Sequence, residues 1–377
     1  MKIVFITNYY NHHQAPLAKA FHDILGDQYV FIETRPMREE RIRMGWREHT
    51  KPAYVKQAYG NYDIQYFKKL IIEADVVIWG GCPFSLVCDR LKQAKLTFCY
   101  SERLFKHKEA FYKTLARKIK YFLRLAFFQK NHYLLCSSAF SARDYNSIGL
   151  FRGRAFKWGY FPELTVDADV EKTVACKKKN EILWCGRFLE WKHPIVALQL
   201  AKQLKENDID FRMRFVGGGQ QEEVMRLFVA KYQLEDFVVF EGYVASDEVR
   251  KYMLQAGIYL FTSDFREGWG AVLNEAMNSA CAVVACSEIG SVPYLIEDGK
   301  NGLVYSHESS NALYCLTERL LKNHDEQKRL GLCAYNTVFS EWNARNAAEK
   351  FIKVSEKLIK GLDLDECFYK DGVASIG

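Results

Sequence analysis

The sequence predicts an α/β protein made of two Rossmann-like domains, each a parallel sheet wound with crossover helices. Three observations carry that expectation. Short apolar runs of strand length alternate with amphipathic segments up to about residue 160, a polar stretch without periodicity follows, and then the same alternation begins again. At 377 residues the chain is too long for one ordinary core and comfortable for two. The expected boundaries are a first domain over 1–165, a linker over 166–180, a second domain over 181–340 and a C-terminal helical segment over 341–377 that packs back toward the first domain.

The first series reads KIVFIT, a helix from Ala15 to Leu25, YVFIE, ADVVIW, LTFCY and HYLLCS. Between the first strand and its helix, Asn11 to Gln14 form a turn whose backbone N–H groups are placed to face an anion, although the turn lacks a glycine-rich signature. The segment from Arg35 to Gly60 has no clean period and is rich in arginine, so it reads as a long surface excursion, either functional or a solvated insert. The second series reads EILWCGRF, a helix from about Pro194, FRMRFVGGG, a helix to about Tyr232, VVFEGYV, a helix from Ser246 to Gln255, IYLFTS and GLVYS. Helical patterns run from Asn311 onward, and Trp342 to Ile359 has the pattern of an amphipathic helix.

Composition narrows the function. An apolar share of 49% with 26% charged residues is that of a folded globular protein. No apolar run reaches membrane-spanning length, and MKIVFIT is too short for a signal peptide, so a cytoplasmic location is expected. The eleven cysteines are scattered, with no C-x-x-C pair and no zinc-type Cys/His spacing, which reads as reduced core cysteines and no metal site. The net charge of +7 is concentrated: from Arg103 to Lys130 nine Lys/Arg stand against Glu109 alone. Phe and Tyr are interleaved there at helical spacing. A helix lying on an anionic membrane surface fits this pattern, as does one packed on its own domain with a solvated basic face. No motif for reading nucleic acid is present.

Four groups of residues point to chemistry. Arg187 and Lys192, in CGRFLEWK just past a strand's carboxyl end, are placed to neutralise a diphosphate, or are merely solvated. Gly186 lies in the same loop. Gly217, Gly218 and Gly219 join a strand to a helix, where bare backbone either receives an anion or makes a tight turn. In SDFREGWGAVLNEAM, Gly268 and Gly270 bare the backbone beside Glu267, and a helix beginning near Ala271 aims N–H groups at a phosphate or sugar oxygen. Glu275 falls about two turns into that helix, too far to pair with Glu267, so the two carboxylates would meet different parts of a long ligand.

In that order and spacing, GRFLEWK, FVGGG, VVFEGYV, TSDFREGWGAVLNEAM and SEIGSVPYLIEDGKNGLVY resemble the signature of retaining glycosyltransferases of family 4, glycosyl transferases group 1, which have the GT-B fold. The match is dense from Glu181 to Tyr305 and general in the first domain. The resemblance implies two facing Rossmann-like domains, a nucleotide-sugar donor held by the second, no obligatory metal or cofactor, and transfer to a glycan or lipid-linked acceptor in cell-surface polysaccharide or glycolipid biosynthesis. By position, Arg187 and Lys192 would grip the diphosphate, Glu267 the donor-sugar hydroxyls and Glu275 the ribose hydroxyls. Backbone of Trp269, Gly270, Ala271, Val272 and Leu273 would line sugar and phosphates. The first domain departs from the family pattern: its first turn offers His13 and Gln14 instead of a glycine pair, and Glu102 follows the strand LTFCY. These three are the acceptor-side candidates, with a salt bridge from Glu102 to a neighbouring arginine as the plainer reading. An epimerase acting on sugar nucleotides and a non-catalytic nucleotide-sugar binder are the alternatives. A lipid-linked acceptor would place the protein peripherally on the cytoplasmic face of a membrane.

Overall fold

The structure is a computed structural model that describes residues 1–39, 50–60, 62–106, 111–307, 309, 311–362 and 369–377. The chain divides into two units, Met1–Glu163 with Trp342–Gly377, and Leu164–Glu341.

The first unit is built on seven parallel strands: β1 (Ile3–Thr7), β2 (Tyr29–Glu33), β3 (Val55–Gln57), β4 (Val76–Trp79), β5 (Thr97–Ser101), β6 (His132–Cys136) and β7 (Ala155–Lys157), in the order β3-β2-β1-β4-β5-β6-β7. Helices cover the faces of a parallel sheet, so its central strands read as continuous apolar runs, and every residue of β1 is buried. The helix Ala15–Leu25 forms where the sequence placed it, with Pro16 in its first turn, where a missing N–H is harmless. The C-terminal helix Ala344–Ile359 belongs to this unit, and its Phe351 ring packs edge-on against Phe21, Phe98 and Trp158.

The second unit holds six parallel strands: β8 (Lys178–Cys185), β9 (Arg212–Val216), β10 (Val238–Gly242), β11 (Ala256–Phe261), β12 (Ala282–Cys286) and β13 (Leu303–Tyr305), in the order β10-β9-β8-β11-β12-β13. In both sheets the first strand lies inside. The chain winds outward on one side of it and then on the other, so the order reverses beside β1 and beside β8. Loops leaving the carboxyl ends of two strands on either side of such a reversal diverge and leave a crevice for a ligand. The pairs concerned are β1 with β4 and β8 with β11.

The structure corrects several expectations. Residues 166–180 are not a bare linker: they carry the helix Val170–Ala175 and the start of β8. Asp169 caps that helix by accepting from Lys172 N–H, and Val174 is buried against Ala280 and Tyr335, so one apolar side chain and one cap anchor an otherwise polar stretch. The excursion from Arg35 to Gly60 contains β3, although its residues 40–49 lie outside those described. Glu33 explains how this segment is held: its buried carboxylate accepts from Lys51 Nζ at 2.5 Å, from the Tyr59 hydroxyl at 2.7 Å and from Tyr10 N–H at 3.1 Å. The basic segment forms the helix Phe111–Leu125, and Lys108 lies outside the described residues.

Candidate functional site

Two loops leaving β8 and β11 are knitted together by short-range polar contacts. The Thr262 hydroxyl accepts from Trp184 Nε1 at 2.9 Å and donates to the Lys192 carbonyl at 2.7 Å. Asp264 N–H donates to the Trp191 carbonyl, and the Asp264 carboxylate meets His193 Nε2 at 3.1 Å. Burial alone would raise the Asp264 carboxyl, but hydrogen bonds from His193 and Arg266 hold it well below the usual carboxylate range.

This weave sets Lys192 against Glu267. Lys192 Nζ donates to Glu267 Oε2 at 2.5 Å, both side chains are 12% exposed, and Ser263 Oγ donates to the same oxygen at 3.1 Å. Two residues assigned to different parts of a ligand are therefore one ion pair in the unliganded chain. Arg187 differs: it is half-buried and has no ion-pair or hydrogen-bond partner among the described residues, which leaves a whole positive charge at this edge.

Glu275 is in the first turn of the seven-residue helix Val272–Asn278, not two turns inside as expected, because at 3.6 residues per turn the step from Ala271 to Glu275 is only about one turn. Its side chain is half-buried with no partner among the described residues, and desolvation pushes its carboxyl up to about 7. A desolvated acceptor at a helix amino end is a place where a ligand's hydroxyl donors have most to gain.

The glycines divide by role. Gly270 has φ +81°, and a Cβ there would lie 2.3 Å from the Phe261 ring, so the corner before the helix requires glycine. A Cβ on Gly217 would lie 2.0 Å from the Gly186 carbonyl oxygen, so these two positions let the loops after β8 and β9 touch. Gly217 N–H is taken by the Gly242 carbonyl, and the carbonyls of Gly218 and Gly219 by Phe188 N–H and Glu222 N–H. The N–H groups of Gly218 and Gly219 have no backbone partner among the described residues and remain the part of this turn able to meet an anion. Gly268 is buried within the corner. The Trp269 side chain belongs to the core: it is fully buried, its Nε1 donates to Asn274 and its carbonyl accepts from Ser291 Oγ. Leu273 is likewise buried, with its N–H on the Gly270 carbonyl. Any backbone lining is thus reduced to the N–H groups around Ala271 and Val272, where the helix starts.

In the first unit, three amides at the turn after β1 are taken within the turn itself: His13 N–H by Asn11 Oδ1, and Gln14 and Ala15 N–H by the Asn11 carbonyl. The three acceptor-side candidates nonetheless stand near one another. The His13 ring stacks on Tyr160 at 5.9 Å, and the Tyr160 hydroxyl donates to Glu102 Oε1 at 2.5 Å. Glu102 is ion-paired with Lys106, not with an arginine; the neighbouring Arg103 turns to Asp144 instead. Gln14 Oε1 is buried without a hydrogen-bond partner. A glycine pair does occur at this edge, just after β4: Gly80 and Gly81 approach Thr7 at the end of β1 and Asn8 beyond it. Tyr160, which joins His13 to Glu102, lies in an irregular segment after β7 and had no periodic signal to mark it.

Residues 166–337 match the family model for glycosyl transferases group 1. Among curated proteins, the chain is 31% identical over 169 residues to the putative colanic acid biosynthesis glycosyltransferase WcaL of Salmonella typhimurium, covering 43% of this chain and 41% of that protein. It is 29% identical over 182 residues to the amylovoran biosynthesis glycosyltransferase AmsK of Erwinia amylovora, covering 47% and 44%. The chain thus spans less than half the length of these relatives. Among solved structures, Anabaena HepE in complex with UDP superposes with a TM-score of 0.69 at 13% identity over 95% of this chain and all of that one (100%). The lipopolysaccharide outer core galactosyltransferase WaaB superposes with a TM-score of 0.62 at 16% identity, covering 90% and 99%. At such identities the likeness shows the fold, two Rossmann-like parallel-sheet units of the GT-B kind.

Proposed function

We propose that the chain is a retaining glycosyltransferase that moves a sugar from a nucleotide-sugar donor to a glycan or lipid-linked acceptor in the assembly of a surface polysaccharide or glycolipid. The observation that carries this reading is the set of groups at the β8 and β11 ends: a half-buried Arg187 without a counter-ion, a Lys192–Glu267 pair and an unpartnered Glu275. The family match covers this region, and the named relatives act in polysaccharide biosynthesis.

The roles follow from the charges. In the reaction, the bond between the sugar's anomeric carbon and the diphosphate oxygen breaks and the acceptor oxygen takes its place. Negative charge then grows on the departing phosphate. Arg187, half-buried and uncompensated, is placed to stabilise that charge. Lys192 joins it when Glu267 turns to the donor-sugar hydroxyls, so donor binding exchanges the ion pair for two ligand contacts. Glu275 accepts from the ribose hydroxyls. Retention follows from attack on the face that the phosphate leaves, with the phosphate oxygen taking the acceptor's proton. No metal enters these steps. A calorimetric screen of UDP-, GDP- and ADP-sugars, followed by NMR of the product's anomeric centre, tests this. A retained anomer in a new glycosidic bond supports the reading; an inverted one, or epimerised donor formed without acceptor, overturns it.

We also propose that the helix Phe111–Leu125 seats the protein on an anionic bilayer. Its core side is taken by Leu125 and Tyr121, while Arg124 lies over the Phe84 ring at 4.3 Å. Leu115, Ile119, Phe122 and Leu123 are exposed, as is Phe127 just beyond, at 85%. The apolar row therefore faces outward, flanked by Lys113 and Lys120, which disfavours the simple alternative of an apolar face packed inward under a solvated basic face. Among the described residues no helix is long and apolar enough to cross a membrane. Flotation with phosphatidylglycerol vesicles should capture the protein at low salt. Lys113→Glu/Lys120→Glu should abolish capture, and capture independent of lipid charge would remove the idea.

A further inference from the structure

We infer that Cys286, Glu288 and His307 form a binding site for a divalent metal ion, with Zn2+ the best chemical match. Each offers one ligand atom, and these atoms lie within 4.8 Å of one another. Parallel pairing creates the cluster: β12 ends at Cys286 opposite Tyr305 of β13, so Glu288 and His307, each two residues further on, leave the sheet at one edge. The sequence hides this because the ligands are 2 and 19 residues apart along the chain and belong to no local metal motif.

The state of His307 is what points to a ligand. Its Nε2 is buried without a hydrogen-bond partner among the described residues, and the Ser263 backbone lies against the ring. Donation by one nitrogen of a neutral imidazole leaves the other with its lone pair. A buried acceptor left unmatched costs about 1–3 kcal/mol. Histidines that bind metals have the far nitrogen anchored to a carbonyl and the near one turned to the ion.

The other two ligands complement it. The Cys286 thiol is fully buried, and on binding it gives its proton to solvent and holds the cation as a thiolate. Glu288 accepts from Phe265 N–H through Oε2 at 3.3 Å, leaving its second oxygen. His193, whose ring lies 4.8 Å from that of His307, and Asp264 complete the surroundings. A sulfur, an imidazole and a carboxylate with a fourth position open suit tetrahedral Zn2+, whose ligand atoms lie about 3–4 Å apart. Half-buried Glu288 and His307 reach that spacing by drawing in about 1 Å. Ser263 and Phe265 hold the ligands from behind, so the ion would tie the loop carrying Glu267 to the β12–β13 edge. The ion would be structural and independent of the transfer reaction.

The test uses the full chain, treated with EDTA and carrying Cys176→Ser, Cys315→Ser and Cys367→Ser, which removes the thiols exposed among the described residues and the one outside them. Titration with Co2+ should produce a sulfur-to-cobalt charge-transfer band at one ion per chain, and Zn2+ should displace the Co2+ and raise Tm. Cys286→Ser should abolish the band, and Glu288→Gln, with its circular dichroism unchanged, should weaken binding at least tenfold. Absence of the band in the parent, or its persistence in Cys286→Ser, overturns the site. Neither readout involves donor or acceptor.

Discussion

The carboxyl edges of the two sheets are built from the same topology and filled with different material. At the second sheet, backbone and side-chain hydrogen bonds weave two loops together and fix charges: a paired lysine, a bare arginine and a desolvated carboxyl. At the first, an asparagine has satisfied the turn's own amides, and the candidate groups are joined through a stacked ring and a tyrosine hydroxyl. The difference teaches where chemistry and selection reside. Charge at the second edge suits a developing phosphate anion, whereas at the first edge the candidate carboxylate, Glu102, is already engaged by Lys106 and by the Tyr160 hydroxyl.

The largest expected effect separates the two cations of the second sheet. Arg187→Ala should lower kcat by about 10²–10³-fold while Tm hardly moves, since the side chain has no partner among the described residues. Steady-state rates beside a thermal melt check this, and a near-normal rate would remove Arg187 from the reaction. Lys192→Ala should lower stability as well, by about 1–3 kcal/mol, because it strands the Glu267 carboxylate in a site 12% exposed. Adding Glu267→Ala should restore much of that stability without restoring turnover. A double variant as unstable as the single one would show that the pair is not coupled.

The next prediction concerns pH. Glu275 has a folded pKa above its unfolded value, so its ionisation opposes folding as pH rises from the ordinary carboxylate range through about 7. A ligand whose hydroxyls donate to the carboxylate favours the ionised form and reverses that sign. Donor affinity should therefore fall about tenfold between pH 8 and pH 6, with proton uptake by the free site on the acid side. Glu275→Gln should flatten the profile. An unchanged slope in that variant would show that another group is being titrated.

How far the sequence reveals this molecule depends on how local each feature is. β1, β2, β4 and β5 were legible because central parallel strands are apolar throughout, and Ala15–Leu25 because its periodicity and proline mark it. β3 and β7 were not: each has three residues, and β3 buries only its first, while β7 is completed by a bridge from Phe156 to the distant Ile376. In the site, Arg187, Lys192, Glu267 and Glu275 stood out by motif spacing, but the ion pair between Lys192 and Glu267 did not, since it depends on β8 lying beside β11. Tyr160 and the Cys286–His307 cluster are products of tertiary pairing alone.

The smallest effect tests the first sheet's edge. Tyr160→Phe removes the hydroxyl that donates to Glu102 at 2.5 Å and leaves the ring that stacks on His13. The loss is one hydrogen bond to a charged group, about 1.5–3 kcal/mol at most, reduced here because Glu102 keeps its contact with Lys106. If the first edge recognises only the acceptor, donor affinity measured by calorimetry should stay within about twofold, and acceptor KM should rise while kcat is held. A matching fall in donor affinity would mean that Tyr160 and Glu102 meet the donor, and the contrast between a charged edge for the donor and an aromatic edge for the acceptor would no longer hold.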